Sequence, residues 1–326
     1  MTPSGHARRG RRFARNLAAA TATAAALALA GPAIAGGELS VGVNDLSRQG
    51  NPFAGRGTPG VFVWAALFDT LAQPDASGAP QPVLATGWTN TDELTWRFSL
   101  RSGITFSNGK PFDAAAAAFA FEFLMTEEGQ ASVVGREFRN LASVSVIDAN
   151  TIEVVTKTPD PIITNRLSML YMVEPGAWND MGVEGFTAAP VGTGAFVAEE
   201  FKAEEALLTA RRNAWQTPGL DSLRLISLPE RASRLQALQS GQINLAFGLS
   251  TDNIAAMKAS GLAVLVSPAP QVMSITLRNM NNEGSPVLDQ RVRQALNFAV
   301  NKESMANELL AGFAKAASHG GTPAAF

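Results

Sequence analysis

The stretch Leu94-Thr-Trp-Arg-Phe-Ser-Leu-Arg101 alternates large apolar with polar side chains, and Ser107-Asn-Gly-Lys110 follows shortly after it. The alternation puts the apolar side chains on one face and predicts a half-buried β-strand. Asn-Gly tolerates a positive φ and predicts a tight hairpin-type turn. Asp113 then precedes a run rich in Ala and Phe that ends at Met125, and its carboxylate can accept an N–H group of the first helical turn. A strand, a turn and a capped helix in succession favour a mixed α/β fold.

The rest of the chain continues this mixture of strand and helix signals without an internal repeat. Further strands are predicted at Glu38–Val43, Val144–Val146, Ile152–Val154 and Ile243–Phe247. Further helices are predicted at Val61–Leu71, at Glu230–Ser240 before Gly241, at Val292–Val300, and from Asn301 to Gly312. We therefore expect an α/β protein with at least two lobes.

Residues 1–35 have the features of a secretory signal peptide. The cationic start contains Arg8, Arg9, Arg11, Arg12 and Arg15. An apolar run, Leu17–Ala30, follows, and Ala33-Ile-Ala35 is a cleavage site of the small-x-small type before Gly36. The run is shorter than the roughly 20 residues that span a bilayer, which argues against a membrane anchor. Two export routes stay open, the general secretory route and the twin-arginine route. We expect the exported chain to begin at Gly36.

The composition excludes several classes of function. The chain has 326 residues, 46% of them hydrophobic, which suffices for two compact lobes. It contains no Cys, so disulfides, thiolate metal sites and a lipid-anchored cysteine are excluded. Removal of the five arginines in residues 1–35 leaves 21 of the 26 basic residues against 28 acidic ones, a net charge of −7. Such a chain does not attract nucleic acid. We expect a soluble monomer in the periplasm.

Catalytic patterns are weak in this sequence. His319 is the one histidine after residue 35, and a tail residue is a simpler interpretation than a catalytic or metal-binding histidine. Gly103-Ile-Thr-Phe-Ser-Asn-Gly-Lys110 resembles a phosphate loop, but Pro111 stands where Ser or Thr must meet magnesium. We expect no cofactor and no enzyme activity. Paired acids leave an extracytoplasmic hydrolase open as an alternative. These pairs are Glu127-Glu128, Glu199-Glu200 and Glu204-Glu205.

Several blocks of residues, in the same order along the chain, resemble the solute-binding proteins of family 5 of ABC importers. This family includes dipeptide-, oligopeptide- and nickel-binding proteins. The blocks are Leu67-Phe-Asp-Thr-Leu71, Pro82-Val-Leu-Ala85, Gly87-Trp88, Thr95–Arg101, Gly103–Phe112, Pro190-Val-Gly-Thr-Gly194, Ala237–Leu245 and Val292–Lys302. They extend over nearly the whole chain after residue 35, and the chain is identified as a member of this family.

The resemblance implies a periplasmic-binding-protein-like fold, in which two lobes with a hinge and an additional small subdomain clasp the ligand. The implied divisions are a signal peptide (1–35), lobe I (36–70 and 190–270), an inserted subdomain (71–189) and the start of lobe II (271–326). Relatives continue well beyond residue 323. We therefore expect lobe II to be incomplete and the apolar faces of Val292–Ala311 to have too few partners.

The resemblance also implies the ligand, the partner and the site. The ligand is expected to be a peptide or another small solute, and the partner is the membrane permease of an importer. The expected ligand contacts are Arg56, Gly57, Thr58 and Val61 in the first lobe, and Met273, Ser274 and Asn279 in a strand near the hinge. Gly192 and Gly194 are the expected hinge residues. The nickel-binding branch is an alternative, in which Tyr171 stands where an arginine is expected to hold the metal chelate.

Overall fold

A computed structural model describes residues 36–46, 50–54, 58–266, 274, 276–278, 280 and 282–317. The expected signal peptide, residues 1–35, lies outside the described residues. None of the helices in the described ranges combines the length and the apolar character that crossing a membrane requires.

The secondary structure is mixed α/β, as the sequence predicts. The strands of the described residues are β1 (Glu38–Val43), β2 (Ala72–Pro74), β3 (Pro80–Pro82), β4 (Ala85–Asn90), β5 (Thr95–Leu100), β6 (Leu141–Asp148), β7 (Thr151–Thr156), β8 (Phe196–Phe201), β9 (Glu205–Ala210), β10 (Ser222–Ser227) and β11 (Leu245–Ala246). The helices are α1 (Thr58–Leu67), α2 (Ala114–Met125), α3 (Glu127–Ala131), α4 (Val133–Glu137), α5 (Ile163–Arg166), α6 (Pro175–Ala188), α7 (Arg231–Gln239), α8 (Ile254–Ala259), α9 (Gln290–Phe298) and α10 (Lys302–Ser304).

A five-stranded sheet has the order β11-β1-β10-β9-β8. Strand β1 is parallel to both of its neighbours, so that Val41 lies opposite Leu225 of β10 and Leu245 of β11. Strands β9 and β8 continue the sheet in antiparallel pairing. Every strand of this sheet comes from residues 36–70 or 190–270, so two distant parts of the chain build it together.

A second sheet is antiparallel, with the order β4-β5-β7-β6. The alternation that the sequence predicts for β5 is confirmed, because Phe98 is fully buried while Arg97 lies on the outer face and pairs with Glu153 of β7 at 2.7 Å. Helix α2 packs on β6 and β7. The predicted cap of α2 is also confirmed, since the carboxylate of Asp113 accepts the N–H of Ala116 at 2.9 Å.

The predicted turn at Ser107–Lys110 forms a hairpin rather than a phosphate loop. Gly109 has a φ of +85°, which favours glycine. The N–H of Phe106 donates to the carbonyl of Lys110 at 2.8 Å. The chain then continues into an antiparallel bridge and not directly into a helix, as a phosphate loop would require.

Several predicted element boundaries are wrong, among them the end of the helix expected from Asn301 to Gly312, which is α-helical only over Lys302–Ser304. Two other cases show the physical reason. The helix expected at Val61–Leu71 begins at Thr58 and ends at Leu67, because Thr70 forms a β-bridge with Tyr171 and β2 starts at residue 72. The strand expected at Ile243–Phe247 contracts to Leu245–Ala246, the two residues that pair with β1. Tertiary pairing thus overrides the local preference of both segments.

The strand expected to contain Met273, Ser274 and Asn279 is not found among the described residues. Ser274 and residues 276–278 have no strand partner there, and a strand without a partner leaves its backbone groups unpaired. Met273 and Asn279 lie outside the described residues. Further along, α9 has no buried residue, and Phe298 and Leu309 are 87% and 64% exposed in the described part of the structure. The expected incompleteness of lobe II stays a prediction.

Gly192 and Gly194 bring their backbone against the carboxyl end of α1. The N–H of Gly194 donates to the carbonyl of Leu67 at 3.0 Å. A Cβ atom on Gly192 would lie 2.1 Å from the carbonyl oxygen of Leu67, and one on Gly194 would lie 2.4 Å from that of Ala66. Both positions therefore require glycine for a close backbone approach. The assignment of these glycines to a hinge stays a prediction.

A buried arginine joins this turn to the neighbouring hairpin. The guanidinium of Arg211 donates from Nη1 to the carbonyl of Gly194 at 2.9 Å, and from Nη2 to the carbonyls of Thr105 and Phe106 at 3.0 and 3.1 Å. Arg211 is 6% exposed. Burial lowers the pKa of its guanidinium, and the negative charge of Asp69 opposes this effect.

Asp69 completes the same junction. Its Oδ2 atom accepts hydrogen bonds from the hydroxyl of Thr193 at 2.8 Å and from the indole N–H of Trp215 at 2.9 Å. Burial raises the pKa of the Asp69 carboxyl, and the two hydrogen bonds and the charge of Arg211 lower it in part. We call the contacts among residues 69, 105–106, 192–194, 211 and 215 the junction.

The first prediction concerns the close approach at the junction. We expect Gly194→Ala to lower the free energy of unfolding by about 2 kcal/mol or more, because the new methyl group displaces the end of α1. Gly219→Ala is the control, since a Cβ atom there meets nothing within 4 Å. We expect it to change the free energy by about 0.5 kcal/mol at most. Urea unfolding followed by circular dichroism measures both, and equal small effects would contradict the role of Gly194.

The second prediction concerns the buried carboxyl of Asp69. The raised pKa means that the folded chain holds this proton more tightly than the unfolded chain, so stability decreases as the pH rises above the ordinary value of 3.8. Asp69→Asn removes the charge, and its amide oxygen can replace Oδ2 as the acceptor. We expect the stability of the native chain relative to this variant to fall as the pH rises above about 3.8.

Urea unfolding at several pH values measures this difference. Asp180→Asn changes an exposed acid and is the matched control. A relative stability that rises with pH, or that does not depend on pH, would show that burial does not dominate the environment of Asp69.

Candidate functional site

Three parallel strands, β10, β1 and β11, end at the same edge of the five-stranded sheet. The chain leaves them at Leu228, Asn44 and Phe247, respectively. In open α/β sheets, ligands bind in the crevice outside the carboxyl ends of parallel strands. We call the residues that follow these three strands the carboxyl edge and consider it the candidate site.

Helix α1 lies beside the carboxyl edge. The ring of Phe62 meets that of Phe247 edge to face, with centroids 4.6 Å apart and an interplanar angle of 67°. Both phenylalanines are half-buried, so part of each residue is accessible to solvent. Thr58 and Val61, two of the predicted ligand contacts, belong to the first turns of the same helix, within one turn of Phe62. Arg56 and Gly57 lie outside the described residues.

Arg234 of α7 holds two loops of the carboxyl edge in place. Its guanidinium donates to four carbonyl oxygens, those of Leu228 and Pro229 after β10 and those of Phe247 and Gly248 after β11. The side chain is 3% exposed. Burial lowers the pKa of this guanidinium, and the nearby charge of Arg231 acts in the same direction. A planar guanidinium has five N–H donors in fixed directions and can bind several carbonyls at once, whereas the ammonium group of a lysine has only three donors.

On the opposite side of α1, aromatic rings pack against one another. The rings of Trp64 and Tyr171 have centroids 6.0 Å apart, and Tyr171 also lies 6.4 Å from the ring of Phe68. Burial raises the pKa of the Tyr171 hydroxyl to about 12, with a further contribution from the charge of Asp69. Tyr171 is therefore neutral at ordinary pH. It cannot supply the positive charge of the arginine that the nickel-binding alternative places at this position.

The structure brings together part of the predicted site. Thr58 and Val61 lie on the helix beside the carboxyl edge, whereas Ser274 is exposed and makes none of the hydrogen bonds of the described residues. The roles of all these residues in ligand binding stay predictions. Sequence reasoning missed Phe62, Arg234 and Phe247. An arginine that binds backbone carbonyls leaves no residue pattern, because every residue type carries a carbonyl.

The paired acids do not form a buried catalytic pair. Glu205 is bound by the guanidinium of Arg224, and Glu200 by the ammonium of Lys202. Glu204 is exposed. Within the described ranges, no three residues among His, Cys, Asp and Glu come together as metal ligands.

The third prediction tests the role of Arg234. We expect Arg234→Lys to lower the free energy of unfolding by about 2 kcal/mol or more, because most of the four carbonyls lose the donor that the buried guanidinium supplies. Amide hydrogen exchange of residues 247–249 should become faster. Arg231→Lys, an exposed position on the same helix, is the matched control. Unchanged exchange in the Arg234 variant would show that these loops are held by other contacts.

Comparison with known proteins identifies relatives of this chain. The chain is 28% identical over 295 residues to the glutathione-binding protein GsiB of Salmonella paratyphi A, covering 88% of this chain and 56% of that protein. It is 26% identical over 263 residues to the nickel-binding periplasmic protein of Escherichia coli, covering 77% of this chain and 49% of that protein. The chain thus spans about half the length of these curated relatives.

A solved structure shows the same fold. The oligopeptide-binding protein AppA of Bacillus subtilis, in complex with a nonapeptide, superposes with a TM-score of 0.72 at 21% identity, covering 89% of this chain and 58% of that chain. The predicted periplasmic-binding-protein-like α/β fold is confirmed. The family model described as "Bacterial extracellular solute-binding proteins, family 5 Middle" matches residues 79–326. The chain belongs to the bacterial extracellular solute-binding proteins of family 5.

Proposed function

We propose that this chain is the solute-binding component of an ABC importer and binds a peptide or a related small solute at the carboxyl edge. The observation that carries the proposal is that three parallel strands end beside α1. There the half-buried ring of Phe62 from α1 contacts that of Phe247, which follows β11. Aromatic rings and loop backbone groups together suit a peptide, which offers apolar side chains and an amide backbone.

The relatives support this class of function. GsiB is named for glutathione, which is itself a peptide, and AppA is solved with a nonapeptide. These proteins are named for what they bind, and the proposal includes no catalytic step. We further propose that the chain acts in the periplasm as a monomer, after export by the signal peptide in residues 1–35, and delivers its solute to a membrane permease.

A nickel chelate is the second candidate, because one relative is a nickel-binding periplasmic protein. The neutral, buried Tyr171 argues against it, since a chelate with carboxylate groups needs positive charge in its site. The peptide proposal is therefore favoured.

The fourth prediction separates the two ligands. Isothermal calorimetry of the full chain is carried out with glutathione, with a set of short peptides, and with nickel plus free histidine. We expect heat from at least one peptide. Heat from the nickel complex alone would replace the peptide proposal by the nickel one, and no heat from any of them would contradict solute binding by this chain.

Variants at the carboxyl edge then locate the site. We expect Phe247→Ala to weaken binding of the active peptide by about tenfold, because it removes an aromatic contact surface. Phe298→Ala is the matched control, as that ring is 87% exposed on α9. Equal affinities of the two variants would place the binding site elsewhere.

A further inference from the structure

A concave surface lies among the helices of residues 114–188, and none of its lining residues belongs to the carboxyl edge. It is an open groove of about 840 Å³ between α2, the start of α3 and the start of α6. Its floor is aromatic and its rim is acidic, and the function proposed for the carboxyl edge uses none of its residues. We call it the acidic groove. It is defined by Phe119, Phe123, Trp178, Glu122, Glu127 and Glu128.

Helical spacing explains how the groove arises. Phe119, Glu122 and Phe123 are three and four residues apart on α2 and therefore share one face of that helix. Trp178 of α6 packs against this face, with its ring centroid 5.0 Å from that of Phe123. The floor is thus a rigid aromatic surface. Phe119 is half-buried and the three glutamates are exposed, so ring surface and carboxylates are both accessible from outside.

The three carboxylates of the rim have no positively charged partner among the described residues. None of the ion pairs found there includes Glu122, Glu127 or Glu128. Glu127 and Glu128 lie in the first turn of α3, where acids favour helix formation, and this would explain those two by themselves. It does not explain Glu122, which lies near the C-terminal end of α2, where a negative charge is unfavourable.

An independent observation comes from Trp178. This residue is 6% exposed, yet its indole N–H takes part in none of the hydrogen bonds found among the described residues. Among the described side chains, Trp96 alone has a fully enclosed nitrogen or oxygen atom without a partner, so the N–H of Trp178 is not fully enclosed, and Trp178 is one of the residues that line the groove. A residue that lines the groove thus has a hydrogen-bond donor without a partner among the described residues.

We propose that the acidic groove binds a basic segment of another protein. Carboxylates bind guanidinium and ammonium groups, and aromatic rings attract the same cations. The indole N–H needs an acceptor, which the carbonyl of a peptide backbone supplies. A metal ion fits less well, because it offers no acceptor and gains nothing from the aromatic floor. A chain segment with arginine or lysine satisfies all three features.

The test uses the full chain and a labelled peptide. Fluorescence anisotropy follows binding of fluorescein-labelled, amidated Gly-Arg-Gly-Arg-Gly-Arg at low salt. The matched probe contains citrulline, a neutral isostere, in place of each arginine. We expect the citrulline peptide to bind at least about tenfold more weakly, and the arginine peptide to weaken as salt screens its charges. Absence of binding by the arginine peptide, or equal affinities of both peptides, would overturn the proposal.

Charge-neutral variants assign the binding to the groove. We expect the triple variant Glu122→Gln, Glu127→Gln, Glu128→Gln to bind the arginine peptide about tenfold more weakly. The control triple Glu93→Gln, Glu137→Gln, Glu283→Gln changes the net charge equally at exposed positions outside the groove. It should stay within about twofold of the native chain. Equal losses in both triples would show that net charge alone attracts the peptide, and would overturn the proposal.

Two further variants distinguish the acidic groove from the solute site at the carboxyl edge. Trp178→Phe keeps an aromatic ring but removes the N–H, and we expect binding to weaken by about threefold. Phe247→Ala belongs to the carboxyl edge and should leave the arginine peptide unaffected. If Phe247→Ala weakened it and the glutamate triple did not, the peptide would occupy the solute site, and the proposal for the groove would be wrong while the proposed solute binding stood.

Discussion

The close approach between residues 192–194 and the end of α1 is the constraint on which the rest of the structure depends. The approach is possible because neither Gly192 nor Gly194 has a Cβ atom that would strike the carbonyls of α1. It brings the start of β8, the hairpin at residues 105–106 and helix α1 to one point. The direction of α1 follows from this contact, and with it the place of Phe62 beside the carboxyl edge.

Two buried arginines stabilise loops of the fold in the same way. Arg211 and Arg234 are 6% and 3% exposed, and both donate mainly to backbone carbonyls rather than to carboxylates. The carbonyls belong to loops, where no sheet or helix supplies a partner. A carbonyl that is removed from water without a hydrogen bond costs about 1–3 kcal/mol. Each arginine therefore stabilises the folded positions of the loops whose carbonyls it binds. The loops that Arg211 stabilises belong to the junction, and those that Arg234 stabilises belong to the carboxyl edge.

The two surfaces that we consider functional differ in their chemistry for a structural reason. The carboxyl edge consists of strand ends and loops, which offer backbone groups and half-buried rings to a solute. The acidic groove lies between helices and is lined by their carboxylate and aromatic side chains, which determine what it is proposed to bind. The surface proposed to bind a solute and the surface proposed to bind a basic protein segment thus belong to different elements of the fold. A third exposed feature is apolar: Phe298 at the end of α9 and Leu309 further along the chain are 87% and 64% exposed.

By itself, the sequence determined the elements that depend on neighbouring residues. The alternation in β5, the Asn108-Gly109 turn and the Asp113 cap were predictable, because each rests on contacts within a few positions. The family blocks determined the class of protein. Only the tertiary structure decided which residues lie in register with β1, namely Leu245–Ala246. It also decided that Arg211 binds carbonyls up to 106 residues away and that Arg234 binds one that lies 13 residues away. Every residue has a backbone carbonyl, so the amino-acid sequence does not show which carbonyls an arginine binds. A groove forms where helices distant in sequence meet, so it does not appear as a local pattern either.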